Sequence, residues 1–143
     1  MPTRTGSCLC GSIKITITGA PVSTNLCHCT SCQKSTGAAS AFIAVFNTSE
    51  ITYSMSELSI IKTYDDTSAE SGRIVKRKFC GRCGGPVGGI REGFEQFCIV
   101  PIGVLDGDRA DLKPPVEFFH KSKIHWAPTL PDSKCFATLP SQL

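Results

Sequence analysis

Cys80-Gly81-Arg82-Cys83-Gly84 has the spacing of a zinc knuckle. Two cysteines three positions apart across a tight turn can aim both sulfurs at one ion, about 2.3 Å from each. The glycine after each cysteine permits the turn and leaves backbone N–H groups free to donate to sulfur. Those bonds stabilise thiolates that would otherwise repel one another. One knuckle needs a second pair to complete a tetrahedron. Outward from it the chain offers two sources: Cys8-Leu9-Cys10, also followed by a glycine, and Cys27-His28-Cys29-Thr30-Ser31-Cys32.

Cys8 and Cys10 are the natural partners. The closed site Cys8, Cys10, Cys80 and Cys83 would then tie the amino-terminal strand to the middle of the chain. Structural zinc contributes roughly 10–16 kcal/mol apparent in small peptides, more than most single packing interactions. Cys27, Cys29 and Cys32 would hold a second ion with one coordination position open, the arrangement that permits chemistry. Spacing alone leaves another partition open, in which two of the triplet pair with Cys80 and Cys83. Without metal, the cysteines would be small buried hydrophobes.

The segments between the cysteines read mostly as strand. Ile13, Ile15 and Ile17 alternate with Lys14, Thr16 and Thr18, the period of a half-buried strand. Phe42–Phe46, Ile51–Tyr53, Ile60–Tyr64, Ile74–Phe79, Phe97–Ile102 and Val116–Phe119 are further strand candidates. Asn47-Thr48-Ser49 and Leu105–Asp108 read as turns, and Asp65–Gly72, polar and small, as a loop. The glycines after Cys83 exclude helix and suit a knuckle followed by a hairpin. The sole helical turn expected lies between Thr30 and Ser40, limited by Gly37. The proline-rich tail from Pro128 reads as irregular. The fold class is mostly β, in one domain over residues 1–143.

Bulk properties are those of an ordinary globular chain: 143 residues, 41% hydrophobic, 19% charged, net charge +3. That charge is too weak and scattered to argue for nucleic acid or a membrane surface as partner. The one basic run, Lys76-Arg77-Lys78, reads as a solvated strand face. No apolar leader begins the sequence and no run of about 18 apolar residues spans a bilayer. Nine cysteines without a secretory signal point to a reducing compartment, with the cytoplasm as default and the nucleus as the other choice.

Other residue types with metal or acid–base chemistry have plainer readings. His28, between two cysteines in an extended segment, points away from them. It reads as a contact to the ligands or to substrate rather than as a ligand. Cys98 and Cys135 read as buried inert thiols, and His120 and His125 as core or interface residues.

Gly6-Ser7-Cys8-Leu9-Cys10-Gly11, then Cys27-His28-Cys29-x-x-Cys32-Gln33-Lys34-x-x-Gly37, then Phe79-Cys80-Gly81-x-Cys83-Gly84, resemble the glutathione-dependent formaldehyde-activating enzyme family, which includes centromere protein V. Gly103-Val104-Leu105-Asp106 and His125-Trp126 resemble its carboxy-terminal part. The resemblance spans nearly the whole chain. The chain departs from it where Gly85-Pro86 follows the knuckle, since many members carry Ser or Thr there.

The resemblance implies an Mss4-like fold of small twisted antiparallel sheets around a zinc cluster. It implies two zinc ions per chain: a structural one on Cys8, Cys10, Cys80 and Cys83, and a labile catalytic one on Cys27, Cys29 and Cys32. It implies a zinc-dependent carbon–sulfur lyase acting on thiol–aldehyde adducts of the S-hydroxymethylglutathione type, with a small thiol such as glutathione and an aldehyde such as formaldehyde as partners. Lys34 and Arg73 are candidate contacts for the carboxylates of such a thiol. Two other readings compete: a zinc-stabilised binding module with a macromolecular partner, and a thiol-rich metal buffer or redox sensor. The sequence leaves the oligomeric state open.

Overall fold

The computed structural model describes residues 2–140. Strand β2 (Ile13–Thr18) carries the expected alternation: Ile13, Ile15 and Ile17 are fully buried, while Lys14, Thr16 and Thr18 face out. It is the centre of a three-stranded antiparallel sheet between β1 (Thr3–Ser7) and β5 (Ile51–Met55). Its isoleucines pack in one core with Ala44, Phe46, Val87 and Val100, which belong to a second, larger sheet.

The larger sheet begins with β3 (Ser23–Cys27) and β4 (Ala41–Asn47), joined through helix α1 (Thr30–Thr36). It continues with β6 (Ile61–Asp66), β7 (Val75–Cys80), β8 (Pro86–Arg91), β9 (Phe97–Pro101), β10 (Val116–Phe118) and β11 (Lys134–Cys135). The spatial order is β11-β10-β3-β4-β9-β8-β7-β6. Most pairs are antiparallel, but β10 runs parallel to both β3 and β11. The mostly-β class therefore holds, with a broader and mixed second sheet.

Successive side chains of a strand face opposite ways, so β4 serves two cores. Ala44 and Phe46 enter the main one. Ala41 and Ile43 enter a smaller cluster with Cys27, Cys29, Cys32, Phe118 and Phe119. Helix α1 is short because Gly37 ends it in the left-handed conformation, φ 66°. No helix among the described residues is long and apolar enough to cross a membrane.

Candidate metal centres and the cavity beside them

Cys8 and Cys10 lie in the turn between β1 and β2. Cys80 ends β7, and Cys83 lies in the turn leading to β8. The two turns come from different sheets and meet. One sulfur from each of the four cysteines lies within 4.8 Å of every other. Cys8 Sγ is 3.7 Å from Cys10 Sγ, which is 3.8 Å from Cys80 Sγ. Four sulfurs about 2.3 Å from a central zinc are separated by about 3.8 Å, so the donor set and its size both fit that ion.

Backbone donors surround these sulfurs. The N–H of Ile13 donates to Cys8 Sγ at 3.3 Å, that of Arg82 to Cys80 Sγ at 3.3 Å, and that of Gly85 to Cys83 Sγ at 3.4 Å. Gly84 takes φ 76° and donates to the Cys80 carbonyl at 2.8 Å, closing the knuckle. Hydrogen bonds from the Ser12 hydroxyl and N–H draw the exposed Cys10 thiol down to about 6. Bonds from the backbone N–H groups of Cys10 and Gly85 lower Cys83. Each favours the thiolate, the form that binds metal. The Gly85 departure sits at the edge of the cluster. A side chain there would place its Cβ 3.3 Å from Leu9 N and 3.4 Å from Cys83 Sγ.

The second group forms where β3 ends. Cys27 is its last residue, Cys29 caps α1, and Cys32 lies in the first turn, so strand, cap and helix bring the three together. Their sulfurs lie within 4.8 Å of one another and all three residues are buried. Cys29 Sγ accepts from Cys32 N at 3.3 Å. Three buried thiols cannot all ionise without a cation, and their acidities separate accordingly. Hydrogen bonds from Cys27 and Cys32 draw Cys29 down to about 3. The Cys27 bond also lowers Cys32, but donation to Cys29, burial and the Cys29 charge outweigh it and push Cys32 up to about 12. Cys27 is held far above the usual thiol range by donation to both partners and by burial. Ionising one of these thiols opposes ionisation of the other two. A dication would compensate the charge of three thiolates, and the donor set suits zinc.

Cys32 also lines a cavity of about 400 Å³ between α1 and the β7–β8 face. Lys34, Arg77 and Lys78 contribute cations to its lining, and Tyr64, Ile43 and Pro86 contribute apolar surface. Arg77 Nε donates to Asp66 Oδ2 at 2.7 Å, its one side-chain hydrogen bond among the described residues. Asp66 also accepts from Ser68 N at 2.9 Å and from Ser68 Oγ at 2.6 Å. The loop after β6 is pinned to the helix as well. Glu70 accepts from Thr30 N at 3.1 Å and from the Ser122 hydroxyl at 2.8 Å.

Several sequence expectations change here. Arg77 and Lys78, read as a solvated face, line the cavity. Of the two candidate carboxylate contacts, Lys34 lines the cavity and Arg73 does not: it lies over Phe94, 5.2 Å from the ring centroid. His28 does turn away from the cysteines, its Nε2–H donating to Glu117 Oε1 at 2.7 Å. It is fully buried, so it is no substrate contact. Cys98 is buried as expected, but Cys135 is exposed, because β11 lies at the sheet edge. His125 is exposed, which removes the core half of its core-or-interface reading.

The profile of the family described as "Glutathione-dependent formaldehyde-activating enzyme" matches residues 3–122. The chain belongs to that family. The match spans both cysteine groups and all the cavity-lining residues named above. In this family member the fold is also similar to the crystal structure of a Rhodobacter sphaeroides protein, with a TM-score of 0.57 at 20% identity. That likeness covers 75% of this chain and 92% of the other, and bears on the fold alone. No curated protein matches the chain.

Proposed function

We propose that this family member is a carbon–sulfur lyase acting on a thiol–aldehyde adduct of the S-hydroxymethylglutathione type, or running the reverse addition. The reading rests on one observation: Cys32 belongs to the three-cysteine group and also lines the cation-bordered cavity. In this reading Cys8, Cys10, Cys80 and Cys83 hold a structural zinc, and Cys27, Cys29 and Cys32 a labile one with a position open toward the cavity. Zinc bound there supplies a site that favours thiolate over thiol at neutral pH.

The rest is done by the chain. In the lyase direction the C–S bond of the adduct breaks and its electron pair goes to sulfur, while the hydroxyl proton passes to solvent water and the O–H electron pair forms the C=O bond of the freed aldehyde. In reverse, the thiolate attacks the carbonyl carbon and the oxygen gains a proton. The terminal N–H groups of Arg77, beyond the Nε spent on Asp66, are the donors for an oxygen that gathers negative charge. Lys34 and Lys78 offer charge complementary to the carboxylates of a glutathione-sized thiol.

The test is exchange spectroscopy on an equilibrium mixture of glutathione, carbon-13 formaldehyde and their adduct. Zinc-loaded protein is expected to speed exchange between free and bound formaldehyde, and Cys32→Ala to lose that effect. Exchange no faster than in buffer with any concentration of folded, zinc-loaded protein would contradict the reading.

A further inference from the structure

A third group of metal-binding side chains lies at the opposite end of the sheet order from the knuckle's strand β7. Glu117 of β10 and Cys135 of β11 are register partners in a parallel pair, which puts their side chains on one face. Cys135 Sγ lies 3.8 Å from Glu117 Oε2. Phe119, next after β10, takes a left-handed conformation, φ 54° and ψ 42°, rare for a bulky residue. That turn brings His120 back against β11, where its N–H donates to the Phe136 carbonyl at 2.9 Å. One ligand atom from each of Glu117, His120 and Cys135 lies within 4.8 Å of the others.

The local chemistry is incomplete without a further partner. His120 Nε2 is buried and has no hydrogen-bond partner among the described residues. Buried polar atoms are rarely left so, because desolvation without a bond costs about 1–3 kcal/mol. Glu117 is fully buried. Its Oε1 meets His28 Nε2, and its Oε2 accepts from Leu130 N at 2.9 Å and from the Ser133 hydroxyl. Cys135 is exposed, which gives an ion a route from solvent. A carboxylate, an imidazole and a thiolate are all zinc ligands, and around one zinc they sit about 3.5 Å apart.

We propose that Glu117, His120 and Cys135 form a further site for a divalent transition-metal ion of zinc type, clamping the carboxy-terminal strand β11 to β10. Three protein ligands leave a fourth position, which water or the Ser133 hydroxyl fills. The site is independent of the lyase reading, since none of its ligands belongs to either cysteine group.

Zinc per chain, counted by native mass spectrometry after loading with zinc alone and desalting, tests it. Cys135→Ser and His120→Ala are each expected to carry one zinc fewer than wild type. Cobalt loading adds a second readout: both variants lose the share of the thiolate-to-cobalt absorption and of the visible bands that this site contributes. Cys135 is exposed, so its serine variant keeps the fold. Equal zinc counts in the three proteins would overturn the site. So would a loss confined to Cys135→Ser, because the imidazole would then not be a ligand.

Discussion

Arg77 Nε donates to Asp66 Oδ2 at 2.7 Å, and that bond fixes a cation on the wall of the cavity that Cys32 also lines. Burial raises the Asp66 pKa, but the bonds from Ser68 and Arg77 outweigh it, and the carboxyl is held below its ordinary 3.8. A carboxyl lowered by folding stabilises the fold fully above its unfolded pKa and loses that contribution as pH falls through the folded value. Asp66→Asn is therefore expected to be less stable than wild type by about 2 kcal/mol at pH 7. The gap should narrow below about pH 3.8. Melting curves of both proteins across pH check this, and a gap that widens in acid would contradict it.

Cys80→Ser removes one sulfur from the group that joins the turns of the two sheets. A hydroxyl is a poor replacement, and Cys80 is wholly buried in the main core. The variant is expected to lose zinc and to melt at or near room temperature, since structural zinc supplies roughly 10 kcal/mol or more. Zinc content and circular dichroism on heating measure both effects.

Cys32→Ala should behave differently. Its sulfur sits in the smaller cluster, apart from the main core. One equivalent of zinc is expected to be lost while the fold persists, with a stability cost of about 1–2 kcal/mol for the lost side-chain volume. Global unfolding would mean that the three-cysteine group is structural.

Gly6→Ala tests how β1 meets the rest of the molecule. Gly6 bridges to Leu105, and a Cβ at position 6 would press into the Val104 carbonyl oxygen, well inside contact distance. Rigid backbone cannot give way as a side-chain end can. A loss of about 1–3 kcal/mol is expected, typical of overpacking, and it should appear in denaturant unfolding.

The sequence made the elements with internal pattern legible. The isoleucines of β2 and the knuckle spacing lie where the structure has them, and Gly37 ends the one α-helix among the described residues. What stayed hidden depended on neighbours. Thr3–Ser7 and Ser23–Cys27 are too polar to read as strands, and are strands because β2, β4 and β10 pair with them. Arg77 belongs to a basic run that looks solvated. It lines a cavity because residues of α1 face its strand across that cavity, and Asp66 at the end of β6 accepts from its Nε. Cys135 reads as buried by residue type, but its strand has just two residues and lies at the sheet edge. Glu117, His120 and Cys135 carry no spacing signal at all, because a parallel strand pair brings them together.

The central claim, an open thiol-binding position at Cys27, Cys29 and Cys32, is tested most directly by calorimetric titration of the zinc-loaded protein. Glutathione and its S-methyl derivative, which cannot ionise at sulfur, are titrated in two buffers of different ionisation enthalpy. Glutathione is predicted to bind with proton release and at least about tenfold more tightly than the derivative, a difference of about 1.4 kcal/mol. Cys32→Ala should abolish that preference. Equal binding of the two compounds, or binding of glutathione without proton release, would contradict the claim.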